Sequence, residues 1–392
     1  MHEMKGDYLM NILIIGNGFD LAHGLPTKYE HFLEFVMVYE KYKHILKPGV
    51  SIKDEWNKTK GLEQEFLLFL ANLCDQKKKI FDEIKEMITD NVWLEHFFSI
   101  YEELKIEGKE GWIDFESEIS SIIQEFEEIR DILIENLKEE DPDINYGSYR
   151  LNKLIGFYIK GREPKTLDDL TKIKDRMLND LNRLIRALEV YLSTFVNQYP
   201  VDVRLPDIEE LQIDKVLSFN YTNTYERLYG KDNPDIEYNY IHGKADVDHD
   251  INSCQLVLGI DEYLPEGERD KNTEFIQFKK FFQRIYKKTG IVFYDWAKAF
   301  YDELRTGYYS SESQPQTFNI YIIGHSLDIT DKDILEALIV MNDNKSIIFH
   351  HNQDALGKQI ANLVKVIGQD NLISMVHGSN ARIILQQQQD AV

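Results

Sequence analysis

Glycine and polar side chains follow several apolar runs of the sequence, and their types suit ligand binding and proton transfer. The four segments are GNGFD at 16–20, SFNYT at 218–222, HG at 242–243 and GHSLD at 324–328. The amide of Asn220 can orient water or a sugar hydroxyl because it both donates and accepts hydrogen bonds. His242 suits proton transfer because an imidazole titrates near neutral pH. Each residue taken alone also fits an ordinary turn, helix cap or structural histidine, so the signal lies in the repetition after strands.

The first segment is a turn with almost no side chains, Gly16-Asn17-Gly18, placed directly after the apolar run 12–15. In an open parallel sheet, ligands bind outside the carboxyl ends of the strands. Backbone amides and a helix N-terminus at such a turn could hold a dinucleotide pyrophosphate, whereas a side chain would keep the ligand away. The G-x-G-x-x-G fingerprint lacks its third glycine because that position is Leu21. A tight turn without a ligand therefore fits the pattern equally well.

The elements that must position these residues change in character along the chain. Between about residues 29 and 200, apolar residues recur three and four positions apart, which predicts helices. Short strands are predicted at 11–16, 215–219, 237–242, 255–259, 318–324 and 346–350. Helical runs separate the later strands, and such alternation is typical of a parallel sheet that is covered on both faces.

We therefore predict an α/β fold, a doubly wound and mostly parallel Rossmann-like sheet with a large inserted helical domain. Residues 1–30 and 205–385 are assigned to the sheet domain, which is discontinuous in sequence. Residues 31–204 are assigned to an all-helical insertion. Residues 386–392, which include the run QQQQ, are expected to be a frayed tail.

The chain is strongly acidic, with a formal net charge of −23 over 392 residues. Such a chain repels phosphate backbones, so nucleic acid is not an expected partner. The local exception is FIQFKKFFQRIYKK at 275–288, where apolar residues recur at helical spacing between lysines and arginines. We interpret it as an amphipathic helix docked on a core rather than as a nucleic-acid patch.

Two further features bear on the compartment. No window approaches the roughly 18 apolar residues that a membrane span requires, and the N-terminus lacks the apolar stretch of a signal peptide. The two cysteines, Cys74 and Cys254, form neither a metal-site spacing nor a disulfide framework. We expect a cytoplasmic protein with no membrane partner and no bound metal.

Taken in order, the motifs resemble those of sirtuins. GNGFDLAHGLP resembles their opening G-A-G-x-S-x-x-x-G-I-P, SFNYT resembles T-x-N-x-D, HG resembles the dipeptide that carries the catalytic histidine, and GHSLD resembles G-T-S-L. A second resemblance comes from the segment NILIIGNGFDLAHGLPTKYEHF, followed by W-x-D-F-E at 112–116 and by FNYTNTYE. These segments resemble the AbiH abortive-infection family, a bacterial antiphage group related to sirtuin-like proteins. The AbiH resemblance spans most of the chain, and the sirtuin resemblance covers the α/β part.

The chain departs from sirtuin deacylases in ways that change the expected reaction. Those enzymes carry two C-x-x-C pairs for structural zinc, and two distant cysteines cannot build that module. Asp20 and Thr222 stand where sirtuins have serine and aspartate. Sirtuin-like defence proteins instead hydrolyse NAD. The resemblance therefore implies an antiphage effector that converts NAD to nicotinamide and ADP-ribose, with NAD as the substrate.

The resemblance also assigns roles in this reaction to particular residues. Asn220 and His242 are the expected catalytic residues. Asp20 joins them as a group that stabilises charge or binds a ribose hydroxyl, although it fits equally well as a first-turn helix residue favoured by the dipole. The residues expected to bind NAD are Gly16, Asn17, Gly18, Phe19, Ser218, Gly324, Ser326 and Leu327.

Two alternative functions stay open from the sequence. One is a non-catalytic nucleotide-sensing module whose helical domain binds a partner. The other is a serine hydrolase that uses Ser326, since GHSLD is close to the G-x-S-x-G elbow, although Asp328 replaces the last glycine. The sequence also leaves open a phage-derived trigger or partner protein, a homo-oligomer, the choice of NAD or NADP, and hydrolysis or ADP-ribosyl transfer.

Overall fold

A computed structural model gives the fold and describes residues 10–106, 113–136, 166–262, 264, 267, 273–290, 318–339, 344–378 and 381–391. Its centre is a sheet of six strands that are all parallel, in the order β3-β2-β1-β4-β5-β6. The strands are β1 Met10–Ile15, β2 Lys215–Ser218, β3 Glu237–Tyr240, β4 Phe318–Ile323, β5 Lys345–His350 and β6 Ile383–Gln387. The predicted fold class, a Rossmann-like parallel sheet with a helical insertion, is confirmed.

Helices make up most of the remaining described chain. Those that precede β2 are α1 Asn17–Ala22, α2 Tyr29–Tyr42, α3 Lys53–Trp56, α4 Gly61–Gln76, α5 Lys78–Ile88, α6 Val92–Ile106, α7 Phe115–Asn136, α8 Leu167–Thr194 and α9 Pro206–Glu209. Those that follow β2 are α10 Thr224–Leu228, α11 Lys280–Lys287, α12 Lys332–Ile339, α13 Gln353–Ile367 and α14 Gln369–Val376. Short 3₁₀ turns lie at Val196–Gln198, Ile276–Phe278 and Ile329–Asp331.

The chain divides into two compact units. The first comprises Met1–Thr27, Val196–Ala245 and Lys288–Val392 and contains the sheet, and the second comprises Lys28–Phe195 and Asp246–Lys287. The second unit thus takes in 246–287, which the sequence assigned to the sheet domain. The predicted domain boundaries themselves stay a prediction.

Strand β1 explains why the first unit has two apolar layers. Ile12 and Ile14 belong to the core on one face of the sheet, and Leu13 and Ile15 belong to the core on the other face. All four side chains are at most 2% exposed. A continuous apolar run is what a parallel strand covered on both faces requires.

The second unit is held by aromatic side chains on its long helices. Phe35 of α2 lies 5.0 Å from the ring of Tyr191 in α8, and Phe66 of α4 packs edge-on against Phe35 at 5.5 Å. Phe66 also lies 6.1 Å from Tyr191, so the three rings close a triangle. Such aromatic pairs add to the free energy that burial of apolar area provides.

One of the predicted strands was wrong. Residues 255–259 form no strand, although Leu256, Val257 and Leu258 are fully buried. The backbone N–H and C=O of Leu258 bond instead to the side-chain amide of Gln283. The apolar run therefore reflects burial and not strand pairing.

The predicted frayed tail was also partly wrong. Strand β6 extends to Gln387, and Gln386 and Gln387 pair with Phe349 and His350 of β5. Among the described strands, β6 lies at the edge of the sheet. An edge strand tolerates exposed polar side chains, so glutamines do not prevent pairing there.

Helix α11 docks through its polar side, which corrects our interpretation for residues 280–287, whereas Phe275 and Phe278 of the same segment are buried as expected. Lys280 and Gln283 are buried, while Ile285 and Tyr286 are 70% and 74% exposed. The Lys280 ammonium lies 2.6 Å from the carboxylate of Glu116. Because the lysine ammonium and the glutamine amide have partners of this kind, they can be buried without leaving their polar atoms unsatisfied.

The docking of α11 through its polar side can be tested by measuring stability. We expect Gln283→Ala to lower the free energy of unfolding by about 2–4 kcal/mol, because it leaves both backbone groups of Leu258 buried without a partner. Ile285→Ala on the exposed face is the matched control and should change the free energy by less than about 0.5 kcal/mol. Urea unfolding measures both. A larger loss in the Ile285 variant would contradict the docking.

Candidate active site

The strand order creates a switch point at the carboxyl ends of β1 and β4. From β1 the sheet continues through β2 and β3 on one side and through β4, β5 and β6 on the other. Crevices at such points are the usual ligand sites of doubly wound sheets. Asn220, His242 and Gly324 each follow the end of a strand on this edge. The topology therefore places the predicted residues along one edge of the sheet.

The glycine turn packs against the end of β4. The N–H of Gly18 donates to the carbonyl oxygen of Gly324 at 2.8 Å, and the N–H of Gly16 donates to Ile323 at 3.2 Å. A Cβ on Gly18 would lie 2.8 Å from the Cα of Gly324. On Gly324, whose φ is +67°, it would lie 2.0 Å from the nitrogen of Phe19. Backbone packing alone thus requires these glycines, so they give no independent sign of a pyrophosphate.

Asn220 is bonded directly to this turn. Its side-chain amide donates to the carbonyl oxygen of Gly16 at 3.0 Å. Its backbone N–H donates to the hydroxyl of Ser218, which donates in turn to the Asn220 carbonyl, both at 3.1 Å. One N–H of the Asn220 side-chain amide is therefore bonded within the protein. The oxygen of that amide is the atom suited to accept a hydrogen bond from water or a ribose hydroxyl.

Asp20 ties the first helix to the loop after β2. It is 1% exposed, and the hydroxyl of Thr222 donates to its Oδ2 at 2.5 Å. Oδ1 accepts no hydrogen bond from the described residues. Burial raises the pKa of Asp20 to about 6, and the neighbouring donors Thr222, Thr224 and Asn220 lower it only in part.

His242 lies in a cluster that the sequence revealed only in part. Its Nε2 is 3.8 Å from Oδ1 of Asp331, and Nε2 of His325 is 3.4 Å from Oδ2 of the same carboxylate. The ring of Phe219 lies 5.7 Å from that of His242 and 4.3 Å from that of His325. His242 and His325 are both buried.

The other predicted binding residues differ in their surroundings. Phe19 is fully buried, and its ring packs 4.5 Å from that of His23. The Asn17 side chain accepts a bond from the hydroxyl of Thr27 at 2.6 Å. Leu327 is also fully buried, while Ser326 is exposed and its carbonyl accepts a bond from the Asn362 amide. Phe19 and Leu327 thus pack in the interior, and the serine faces solvent.

Sequence reasoning missed His325 and Asp331 as site residues. Both lie in the segment GHSLDITD, directly after the strand that it had identified. The rule that selected Asn220 and His242, a polar residue after a strand, also selects His325. No sequence signal places Asp331 opposite His242, because that approach depends on the turn Ile329–Asp331.

A separate cavity of about 540 Å³ opens beside α10 and β3. Its walls are Asn223, Glu226, Arg227, Gly230, Lys231, Asn233, Pro234, Ile236 and Tyr238. It does not include the candidate catalytic residues. Within the described ranges, no group of three or more His, Cys, Asp or Glu side chains could hold a metal ion.

The buried carboxyl of Asp20 predicts how the stability of the protein depends on pH. Because its folded pKa of about 6 lies above the ordinary aspartate value of 3.8, the folded state binds this proton more tightly than the unfolded state. This group therefore stabilises the fold as pH falls from about 6 towards 4 and destabilises it as pH rises through that window.

Asp20→Asn removes the charge and the effect with it. Relative to the unsubstituted protein, we expect the variant to gain about 1.5 kcal/mol in free energy of unfolding between pH 5.0 and pH 7.5. Urea unfolding of both proteins at the two pH values measures the difference. Parallel pH profiles for the two proteins would show that Asp20 is not a buried carboxyl of raised pKa.

Comparison with known proteins assigns the chain to a family. The family model described as "Bacteriophage abortive infection AbiH" matches residues 12–351. The match takes in β1, the glycine turn, Asn220, His242 and β5. The curated proteins and the solved structures with which the chain was compared gave no match. Since the match covers nearly the whole chain, the protein belongs to the AbiH family of bacteriophage abortive infection proteins.

Proposed function

We propose that the protein is an abortive-infection effector that hydrolyses NAD to nicotinamide and ADP-ribose. Membership of the AbiH family supports the role in phage defence. The observation that carries the reaction is the placement of Asn220 on the glycine turn and of His242 on the same edge of the sheet. The motif-by-motif resemblance to sirtuins supplies the identity of the substrate.

The reaction asks little covalent chemistry of the protein. Nicotinamide leaves with the electron pair of the C1′–N bond and becomes neutral, so no general acid is needed. The ribose C1′ develops oxocarbenium character, as in other glycoside hydrolyses. The oxygen of a water molecule forms the new bond to C1′, and the proton of that water passes to a base. The protein must hold the ribose, place the water and accept the proton.

Two side chains fit these tasks, and a third supports the loop that carries one of them. The Asn220 oxygen would orient the ribose hydroxyl or the water, because its amide nitrogen is anchored to Gly16. The His242 imidazole would accept the proton. Asp20 would act through the loop after β2, since its carboxylate is buried against Thr222. Asp20 is therefore assigned a structural part in this site and not contact with the substrate.

The site is closed in this structure. Asp20, Asn220 and His242 are exposed by 1%, 5% and 7%. NAD must reach Asn220 and His242 for the proposed reaction, so the residues that cover them must move. This closure supports an effector that stays inactive until infection supplies a trigger. An abortive-infection enzyme that destroys a central cofactor would need such control.

The burial of His242 also fits a second candidate function, the non-catalytic nucleotide-sensing module. Such a module would bind NAD or ADP-ribose without turnover, so it would need no exposed base. Measurement of binding and nicotinamide release in one preparation separates the two functions. The serine hydrolase has less support, since no described imidazole is hydrogen-bonded to the hydroxyl of Ser326, as an activated serine requires.

The proposed hydrolysis of NAD can be tested by measuring turnover. We expect Asn220→Ala and His242→Ala each to reduce nicotinamide release from NAD by about 10²-fold or more, because one misplaces the reactants and the other removes the proton acceptor. Purified proteins are assayed with NAD in the presence and absence of an extract of phage-infected cells. Melting curves show whether each variant is folded.

A matched control uses another histidine of the sheet unit. His377 is exposed at the end of α14, before β6 begins, and His377→Ala should release nicotinamide at the rate of the unsubstituted protein. Equal rates in the folded Asn220 and His242 variants would exclude this site. Absence of nicotinamide release under both conditions, with NAD bound, would favour the sensing module.

A further inference from the structure

Two buried histidines and one half-buried carboxylate converge at the carboxyl edge of the sheet. His242 follows β3, His325 follows β4, and Asp331 ends the 3₁₀ turn Ile329–Asp331. The two imidazoles approach different oxygens of one carboxylate, at 3.8 Å and 3.4 Å. Neither the motif GHSLD nor the roles given to Asn220 and His242 account for this arrangement.

The hydrogen bonds of His325 fix the proton on its ring. The backbone N–H of Leu327 donates to Nδ1 of His325 at 2.9 Å, so Nδ1 acts as the acceptor. The ring proton of a neutral imidazole must then lie on Nε2, which is the nitrogen that faces Asp331. The N–H of His325 thus faces the carboxylate, so this ring is not placed to act as a base.

The backbone holds this geometry at a cost. Leu327 has a φ of +58°, in the left-handed region that non-glycine residues rarely adopt. In this conformation the Cβ of an L-residue crowds the following carbonyl oxygen, so the backbone is strained. The fully buried Leu327 side chain belongs to the core on one face of the sheet, which holds the residue in place. Packing of Leu327 therefore directs His325 towards Asp331.

Asp331 presents its other oxygen to His242. The Oδ1 to Nε2 distance of 3.8 Å is a charge contact rather than a direct hydrogen bond. A carboxylate at this distance favours a proton on the facing ring nitrogen. From the loop after β2, the rings of Phe219 and Tyr221 lie 5.7 Å and 6.4 Å from that of His242. Of these neighbours, Asp331 is the one whose charge orients the imidazole at neutral pH.

We propose that Asp331 is a positioning residue that holds the proton of His242 on Nε2 and so makes Nδ1 the atom that takes the proton from water. The catalytic part of this inference rests on the proposed function. During attack, the water proton moves to Nδ1, and the carboxylate balances the positive charge that the imidazolium then carries. This is the relation of a base to the group that orients it in hydrolytic triads.

The experiment reads the tautomer directly and does not need turnover. The full-length protein is labelled with ¹⁵N in its histidine rings, and the signals of His242 are assigned by their loss in His242→Gln. We expect the neutral ring of His242 to carry its proton on Nε2. In Asp331→Asn we expect a larger Nδ1–H population and a ring titration whose midpoint falls by about one pH unit.

Two further variants separate charge from loop structure. Asp328→Asn removes a neighbouring carboxylate that bonds to the N–H of Thr330, and it should leave the His242 tautomer unchanged. Asp331→Glu keeps the charge and should restore the tautomer in part. If NAD is hydrolysed, Asp331→Asn should reduce turnover by about 10²-fold and shift the acid limb of the pH profile to lower pH.

Each result bears on the inference. An Nδ1–H tautomer in the unsubstituted protein, or an identical His242 titration in Asp331→Asn, would overturn it. Since the first reading needs no variant, a failure of Asp331→Asn to fold does not remove the test. The expected tautomer together with no nicotinamide release would uphold the pairing and contradict the proposed function, so the two failures are distinguishable.

Discussion

The close contact between the turn after β1 and the end of β4 is the constraint on which the rest of the site depends. The N–H of Gly18 bonds to the carbonyl of Gly324, and side chains at these positions would collide with the opposite backbone. The contact fixes Gly16, whose carbonyl receives the amide of Asn220. It also sets the start of helix α1, which carries Asp20 to Thr222. One backbone contact thus orders the ends of three strands.

A second consequence is that the site is built from polar groups that are mostly buried and that contact one another. Asp20 takes a bond from Thr222, Asn220 bonds to the turn, and Asp331 approaches two imidazoles. In a low-dielectric interior, such groups are costly to leave without partners and strongly oriented when they are paired. The arrangement suits a site that keeps a fixed geometry while closed.

The sequence predicted the sheet because its signals are local. Apolar runs followed by glycine or a polar residue marked β1, β2, β3, β4 and β5, and the alternation with helices indicated a parallel sheet. It failed at 255–259 because a buried loop has the same composition as a buried strand. It failed at α11 because Lys280 and Gln283 find buried partners that are distant in sequence. Asp331 was missed for the same reason, since its approach to His242 joins residues far apart in the chain.

We propose that infection opens this edge of the sheet and that NAD is consumed there. The most direct test follows the NAD content of phage-infected bacteria that express the full-length protein or its His242→Ala variant at equal levels. We expect NAD to fall before lysis in cells with the unsubstituted protein and to stay at the uninfected level in cells with the variant. Protection from phage with NAD unchanged in both strains would contradict it.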